Sequence, residues 1–258
     1  MDWAYSISGL AVGFIVGLTG VGAGALMTPL LVLVFGVPPA VAVGTDLLYA
    51  SITKGAGSWV HARRGNVDWG VVGRLAAGSV PAAFLTLLLL KSLHIQGKPF
   101  SDFITAALGC ALVLTAFSLV FKRGMSPAVS PDARASDWVT RWRTPATIAV
   151  GAVLGTLVTL TSVGAGALGM AALIALYPRH PAVVLVGSDI AHAVPLTLVA
   201  GLGHAALGTV DFNMLASLLV GSLPGIYLGS HAANRVPQRV LRYVLAAMLF
   251  FIGGRLVI

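Results

Sequence analysis

Long apolar stretches separated by short polar connections make up most of the chain. They cover residues 4–36, 40–62, 69–90, 100–121, 144–178, 182–207, 211–233 and 239–257. A helix needs about 20 residues to cross a bilayer, so six of these stretches fit one crossing each. Stretches 4–36 and 144–178 are too long for one crossing and are interrupted by glycines at 19–24 and 161–166. The interruptions predict two broken helical hairpins that re-enter the membrane, each with its tip near the middle.

The second half of the chain repeats the first. Gly44-Thr45-Asp46 recurs as Gly187-Ser188-Asp189, His61 as His204, Gly78-Ser79 as Gly221-Ser222, and the segment from Thr19 to Leu26 as that from Thr161 to Leu168. Polar residues that recur at equivalent positions of two repeats, inside apolar segments, are typical of transporters built from two halves around a central site. We therefore predict two membrane repeats, residues 1–121 and 144–258, joined by a linker at 122–143.

The positive charges indicate how the two repeats are oriented. If both hairpins return to their side of entry, each repeat makes three crossings and the repeats are inverted. Basic residues then gather on the side of the linker: Arg63, Arg64, Lys122, Arg123, Arg134, Arg141, Arg143, Arg179, Arg235 and Arg239. The opposite side holds Lys91, Lys98 and Arg255. Because basic residues favour the cytoplasm, we predict inverted repeats, a cytoplasmic linker and periplasmic termini.

Composition agrees with a membrane protein and narrows the partners. The chain is 57% hydrophobic and 9% charged, with a mean hydropathy of +0.94, which excludes a soluble globular domain and predicts an all-α polytopic protein in a lipid bilayer. The net charge of +8 could suggest nucleic acid, but the basic residues lie in short connections, so no nucleic-acid partner is expected. The single Cys110 leaves no cysteine metal site, and no cofactor is expected. The oligomeric state stays open.

The two hairpin tips are the first candidates for substrate binding. The residues concerned are Thr19, Gly22, Ala23 and Gly24 in the first tip and Thr161, Gly164, Ala165 and Gly166 in the second. Glycines let a backbone approach a ligand closely, and the helix that starts after each tip presents free N–H groups that favour an anion. The alternative is that these small residues only allow helices to pack closely.

Ionisable residues inside the apolar segments are the second set of candidates. Asp46 and Asp189 could carry a proton or could cap backbone N–H groups. Lys54 could contact the substrate, form an internal ion pair or extend its ammonium group to the membrane interface. His192 could share a proton with Asp189. His61 and His204 lie at helix ends, where either gating or packing is possible. Asp68 and Asp211 are predicted to be helix-start residues.

Several motifs together carry a family resemblance over essentially the whole chain. They are Gly20-Val-Gly-Ala-Gly24 followed by Pro29, the run from Val37 to Thr45, the run from His61 to Trp69, the run from Ser162 to Gly166, and the run from Gly187 to His192. The chain resembles the sulfite exporter TauE/SafE family of membrane permeases. The resemblance implies a multi-pass protein of the bacterial inner membrane that moves small sulfur-containing or organic anions.

The residues and the resemblance together predict a secondary transporter, not an enzyme. The expected substrate is a small anion, sulfite or an organosulfonate, moved by alternating access with proton coupling. No Gly-x-x-x-x-Gly-Lys-[Ser/Thr] motif occurs, so the energy would come from a gradient or a partner. One alternative is an intramembrane aspartyl protease in which Asp46 and Asp189 form the catalytic dyad. The other is a membrane scaffold that transports nothing.

Overall fold

The computed structural model describes residues 2–19, 24–92, 98–121, 137–232 and 238–257, and these residues are almost entirely helical. The helices are α1 (Trp3–Thr19), α2 (Gly24–Leu33), α3 (Pro39–Arg63), α4 (Trp69–Ser92), α5 (Lys98–Phe121), α6 (Asp137–Thr161), α7 (Ala167–Leu176), α8 (Ala182–Ala206), α9 (Phe212–Ala232) and α10 (Gln238–Val257). The predicted all-α membrane class is confirmed. Helices α6 to α10 are the repeat counterparts of α1 to α5.

Most helix ends lie close to the predicted limits, with one clear difference. Helix α6 begins at Asp137, whereas the apolar stretch was predicted to begin at 144. The last third of the predicted linker is therefore helical, because residues 137–143, a mixture of polar and apolar side chains, extend an apolar helix that Pro145 does not interrupt. Residues 122–136 lie outside the described residues.

Five helices of the described chain are long and apolar enough to cross a membrane. They are α4, α5 (its part 101–120), α6 (its part 142–161), α8 and α9. Helix α3 has a suitable length but a lower hydropathy, because it carries Asp46, Lys54 and Arg63. The apolar part of α10, Tyr243–Leu256, is shorter than a full span.

Each broken helix pair returns to the end at which it began. In the first half, the ring of Tyr5 at the start of α1 lies 4.8 Å from the ring of Phe35, just after α2. In the second half, the hydroxyl of Thr147 in α6 lies 2.9 Å from the hydroxyl of Tyr177, just after α7. A helix pair that continued straight through would place these residues at opposite ends. The contacts therefore give each pair the shape of a hairpin.

In each half, the first helix of the hairpin packs against a helix of the other half. Helix α1 of the first half packs against α9 of the second, and their counterparts α6 and α4 pack together in the same way. Both pairs are parallel, since Gly9, Gly13 and Gly17 of α1 face Leu218, Ser222 and Ile226 of α9 in rising order. Each hairpin therefore rests on a helix of the other half.

The counterpart helices α3 and α8 cross the centre of the protein in opposite directions. Gly44, early in α3, contacts His204, late in α8, whereas Gly57 of α3 lies near Ile190 of α8. Helices α5 and α10 also pack antiparallel, since Gly109 contacts Gly253 and the ring of Phe117 lies 5.9 Å from that of Phe250.

Stripes of glycine allow the helices of the two halves to touch through their backbones. A Cβ atom at Gly13 would lie 2.5 Å from the carbonyl oxygen of Ser222, and one at Gly225 would overlap the carbonyl oxygen of Leu10. Small residues are used in this way where membrane helices must approach closely. The sequence analysis considered close packing only for the tips and missed these stripes along α1 and α9.

The repeated Gly-Thr-Asp and Gly-Ser-Asp motifs connect the halves. Side chains are excluded at Gly44 by the carbonyl oxygen of Thr209 and at Gly187 by that of Asn66. The next residue of each motif accepts a hydrogen bond from a backbone N–H of the other half: Asp211 to Thr45 Oγ1 at 3.0 Å, and Asp68 to Ser188 Oγ at 2.8 Å. The third residue, Asp46 or Asp189, is left to face the interior.

Asp68 and Asp211 cap the starts of α4 and α9, as predicted. Asp211 Oδ1 accepts from the N–H groups of Asn213 and Met214, both at 2.9 Å. Asp68 Oδ1 accepts from the N–H of Val71 at 3.1 Å, and its Oδ2 lies 3.1 Å from Nε2 of His180. Partial burial by itself raises the pKa of Asp68, but the hydrogen bonds from Val71 and His180 outweigh it and hold the pKa below its usual range.

We predict that Gly13→Ala destabilises the protein by about 1–3 kcal/mol, because the added methyl group forces α1 away from α9. Gly73→Ala is the matched control, since a Cβ at Gly73 meets nothing within 4 Å. The measurement is the thermal unfolding midpoint of the purified proteins in detergent. Equal midpoints for the two variants would contradict backbone contact at Gly13.

We predict that Asp68→Ala and Asp211→Ala each destabilise the protein by about 1 kcal/mol through loss of a helix cap. Because the pKa of Asp68 is lowered on folding, its contribution is fully present above the unfolded pKa of about 4 and is lost as the pH falls through the lower folded pKa. The difference in unfolding midpoint between wild type and Asp68→Ala should therefore shrink below about pH 4. A constant difference from pH 7 to pH 3 would show that the carboxylate charge of Asp68 contributes nothing.

Candidate functional site

A group of polar side chains, all buried except the partly buried Lys54, lies where the second hairpin tip meets α3. Lys54, in the middle of α3, donates a hydrogen bond from Nζ to the carbonyl oxygen of Ala165 at 2.8 Å. Lys54 belongs to the first half and Ala165 to the second. Asp46 and Asp189 are both close enough to Lys54 to interact with its charge. Four of the predicted site residues are thus brought together.

Asp46 is fully buried and is held by the returning arm of the first hairpin. Its Oδ2 accepts a hydrogen bond of 2.5 Å from the hydroxyl of Thr28 in α2. Ser162 of the second tip lies beside the same carboxylate. Neither Asp46 Oδ1 nor Ser162 Oγ makes a hydrogen bond of ordinary geometry within the described part of the chain. The carboxylate therefore contacts both hairpins, and Thr28 and Ser162 are site residues that the sequence analysis missed.

Asp189 occupies the equivalent position in the second half and is also buried, with 4% of its surface exposed. Its carboxylate lies against Gly169 of α7, where a Cβ atom would overlap Oδ1. Gly169 thus provides the space that lets Asp189 approach α7. The sequence offered a signal for this contact, since Gly169 directly follows the repeated tip motif, but its partner could not be inferred from spacing.

His192 lies one turn after Asp189 and belongs to the same buried group. Its Nε2 lies 2.8 Å from Ser79 Oγ of α4, and its Nδ1 makes no hydrogen bond to any described residue. The repeat counterparts of His192 and Ser79 are Tyr49 and Ser222 of α9. The hydroxyl of Tyr49 lies beside Ser222. Both pairs join one half to the other. His192 also interacts with the charge of Lys54.

The second tip is an irregular turn whose backbone favours glycine at two positions. Backbone φ angles are +58° at Ser162, +118° at Gly164 and +145° at Gly166. Thr161 is buried, and its hydroxyl donates to the carbonyl of Leu157 at 2.7 Å and accepts from the N–H of Val163 at 3.1 Å. Thr161 therefore fixes the turn locally. Its predicted contact with substrate stays a prediction.

The backbone of this turn presents hydrogen-bonding groups toward the site. The carbonyl of Ala165 binds Lys54, and α7 begins two residues later at Ala167. Gly166 precedes α7 without a side-chain cap, so the first N–H groups of α7 have no side-chain acceptor from the capping position. In the first tip, Gly22 and Ala23 lie outside the described residues, while Thr19 ends α1 and Gly24 begins α2.

The two repeated histidines lie at helix ends and contact the other repeat motif. His204 is buried; its Nε2 donates to the carbonyl of Thr159 at 3.0 Å and its Nδ1 lies 2.9 Å from Thr209 Oγ1. His61 is half-buried, and its Nδ1 lies next to Gly187. These contacts give His204 a packing role between α6 and α8. A gating role for either histidine stays a prediction.

Comparison with known proteins agrees with a membrane transporter. The family model of the sulfite exporter TauE/SafE matches residues 5–256. "Probable membrane transporter protein YjnA" of Bacillus subtilis (strain 168) is 39% identical over 264 residues, covering 100% of both chains. A "Probable membrane transporter protein" of Xylella fastidiosa (strain 9a5c) is 31% identical over 229 residues, covering 88% of this chain and 83% of that protein.

A more distant relative is "Probable membrane transporter protein YdhB" of Bacillus subtilis (strain 168), 28% identical over 89% of each chain. No solved structure matches the chain at a significant level. The match to the family model covers nearly the whole length of the ten described helices. It includes both glycine-broken pairs and the polar group between them. This multi-pass membrane protein therefore belongs to the sulfite exporter TauE/SafE family of transporters.

Proposed function

We propose that the protein is a secondary transporter that moves a small anion, sulfite or an organosulfonate, across the bacterial inner membrane by alternating access. The observation that carries the proposal is the contact of Lys54, from the first half, with the glycine turn of the second half, flanked by Asp46 and Asp189. Ionisable groups buried inside membrane helices are costly and mark the path of a substrate or an ion.

The packing of the counterpart helices supports inverted halves. If both halves had the same orientation in the membrane, α3 and α8 would run in the same direction, and so would α5 and α10. Both pairs run antiparallel instead. The hairpin shape of α1–α2 and α6–α7 supports the same arrangement, because three crossings in each half place equivalent loops on opposite sides.

Lys54 and the second tip together offer what a small oxyanion needs. An ammonium group supplies charge and three donors, and the start of α7 supplies backbone N–H groups. In the described structure the ammonium of Lys54 is bound to a neutral carbonyl, at Ala165. We propose that a sulfite or sulfonate oxygen takes the place of that carbonyl as the acceptor, since a charged acceptor binds an ammonium more strongly than a neutral one.

The charges of the site account for proton coupling. Two ionised carboxylates and one ammonium leave a net negative site, which repels an anion. Protonation of Asp46 or Asp189 removes the repulsion, so the anion and the proton favour each other's binding. Thr28 and Ser162 lie beside Asp46 and can hydrogen-bond to either form of the carboxyl group. The anion and the proton would then cross the membrane together.

The alternatives receive no comparable support. A protease dyad needs two carboxyl groups that share a proton. Here a lysine interacts with both carboxylates, and Asp46 is hydrogen-bonded to Thr28. A scaffold that transports nothing would have no need for a lysine and two aspartates in its interior. We therefore propose no enzymatic activity and no purely structural role.

The inverted arrangement predicts that cysteines at counterpart positions label from opposite sides of the membrane. Arg63→Cys at the end of α3 and Ala206→Cys at the end of α8 are suitable, because both positions are exposed. The exposed native Cys110 is first replaced by Ser in both proteins. We expect a membrane-impermeant maleimide added to intact cells to label Ala206→Cys and to label Arg63→Cys only after the membrane is permeabilised. Labelling of both from one side would exclude inversion.

The coupling proposal predicts that anion binding weakens as the pH rises. The test uses methanesulfonate, whose charge does not change between pH 5 and pH 9, and measures its dissociation constant by calorimetry on purified protein. We expect the affinity of wild type to fall by up to about tenfold per pH unit once the carboxylates ionise. Asp46→Asn or Asp189→Asn should bind with an affinity independent of pH, because the amide imitates the protonated acid.

Two further variants distinguish a specific loss of anion binding from misfolding of the protein. Asp102→Asn alters an exposed carboxylate and should behave as wild type. Lys54→Gln should fold and lose most of its affinity, whereas valine at Gly164 or Gly166 is unsuitable as a test because the φ angles there strain any side chain. Counterflow in proteoliposomes with sulfite, thiosulfate, sulfonates and small carboxylates then identifies the substrate. No counterflow with any of these anions would overturn the proposed function.

A further inference from the structure

A second cationic site lies between α4, α6 and the end of α7, apart from the site around Lys54. It consists of Arg74 of α4, Arg143 of α6, Thr147 of α6 and Tyr177, which follows α7. Arg74 Nη1 donates to the hydroxyl of Tyr177 at 3.3 Å, and that hydroxyl also lies 2.9 Å from Thr147 Oγ1. The guanidinium carbon of Arg143 lies 5.3 Å from the centre of the Tyr177 ring. Two cations thus share one buried phenol.

Among the described residues, no carboxylate neutralises the charges of these two arginines. Arg143 Nε is buried without a hydrogen-bond partner. The described residues place no carboxylate within ion-pair distance of Arg74 or Arg143, and the carboxylate of Asp68 is bound to His180 instead. A guanidinium has five donors and stays charged inside a protein, so donors left without acceptors at a membrane surface favour an added anion.

The surroundings of the site favour a lipid as the source of that anion. Ile148 and Val153 of α6 lie one to three turns beyond Arg143 and are exposed, with 37% and 66% of their surfaces accessible. Trp142 beside Arg143 is also half exposed. An acyl chain can contact these exposed apolar side chains of α6 while the headgroup reaches the arginines. Basic pockets between membrane helices on the cytoplasmic side are suited to anionic headgroups.

We propose that Arg74, Arg143 and Tyr177 bind the phosphate of an anionic phospholipid from the leaflet at the Trp142 end of the apolar span of α6. The phosphate oxygens accept hydrogen bonds from both guanidinium groups, which bind phosphate in a bidentate manner. Arg74 belongs to the first half, and Arg143 and Tyr177 belong to the second. A bound lipid therefore connects the two halves at the packing of α4 on α6, and its stabilisation of the folded protein increases with the logarithm of lipid concentration once the site is mostly occupied.

The experiment measures the thermal stabilisation of delipidated protein in detergent by short-chain phosphatidylglycerol. Short-chain phosphatidylcholine and inorganic phosphate are the comparison ligands, and native mass spectrometry counts the lipids that stay bound. We expect phosphatidylglycerol to raise the unfolding midpoint most. The apparent dissociation constant for phosphatidylglycerol should increase at least about tenfold in Arg74→Gln and in Arg143→Gln. The exposed Arg64→Gln is the matched control and should bind phosphatidylglycerol as wild type does.

Arg143→Lys tests the site with a variant that should still fold. Lysine keeps the positive charge of arginine but lacks its planar guanidinium group. We expect this variant to be as stable as wild type without lipid and to bind phosphatidylglycerol more weakly. Equal stabilisation by inorganic phosphate and by phosphatidylglycerol would overturn the assignment to a lipid. Unchanged phosphatidylglycerol binding in Arg143→Lys and in both glutamine variants would overturn the site itself.

Discussion

Close backbone contact between the two halves is the constraint on which the other features depend. In a bilayer, helices gain little from burying apolar surface against each other, so close packing and interhelical hydrogen bonds must hold them together. Gly13 and Gly225 let α1 and α9 touch, and Gly44 and Gly187 let each half receive a loop of the other. These contacts position Asp46 and Asp189, each of which directly follows a residue that binds the opposite half. A looser interface would leave both carboxylates without a fixed environment.

Much of the fold could be predicted from the sequence, because a membrane restricts the options. Helix lengths follow from the bilayer, and the repeat by itself makes Asp46 and Asp189 counterparts. Helix α6 begins before the predicted limit at 144 because residues 137–143 include four polar side chains, and hydropathy cannot distinguish a helix that extends beyond the apolar region from a loop. The glycine stripe of α1 was missed for a related reason, since glycine spacing shows close approach only when the partner helix is known.

The contacts of the site could be predicted only in part. Lys54, Asp46 and Asp189 were singled out as ionisable groups in apolar helices, and both aspartates lie close enough to Lys54 to interact with its charge. Their hydrogen-bond partners, Ala165 and Thr28, depend on how one half packs on the other, and no local pattern encodes that. The repeat counterpart of Lys54 is Thr197, which carries no charge. Thr197 bonds back to the carbonyl of Ala193 in its own helix at 2.8 Å, so only one half contributes a cation.

The hydrogen bond between Asp68 and His180 has no equivalent at the counterpart residue Asp211 among the described residues. The residue that corresponds to His180 in the first half is Val37, whose side chain has no hydrogen-bonding group to offer Asp211. In a carrier with two access states, a contact made at one end lowers the free energy of the state in which that end is closed. A partly exposed pair contributes at most about 1 kcal/mol, or about fivefold in population. Such a carrier has unequal apparent affinities for its substrate on the two faces of the membrane, although it has a single binding site.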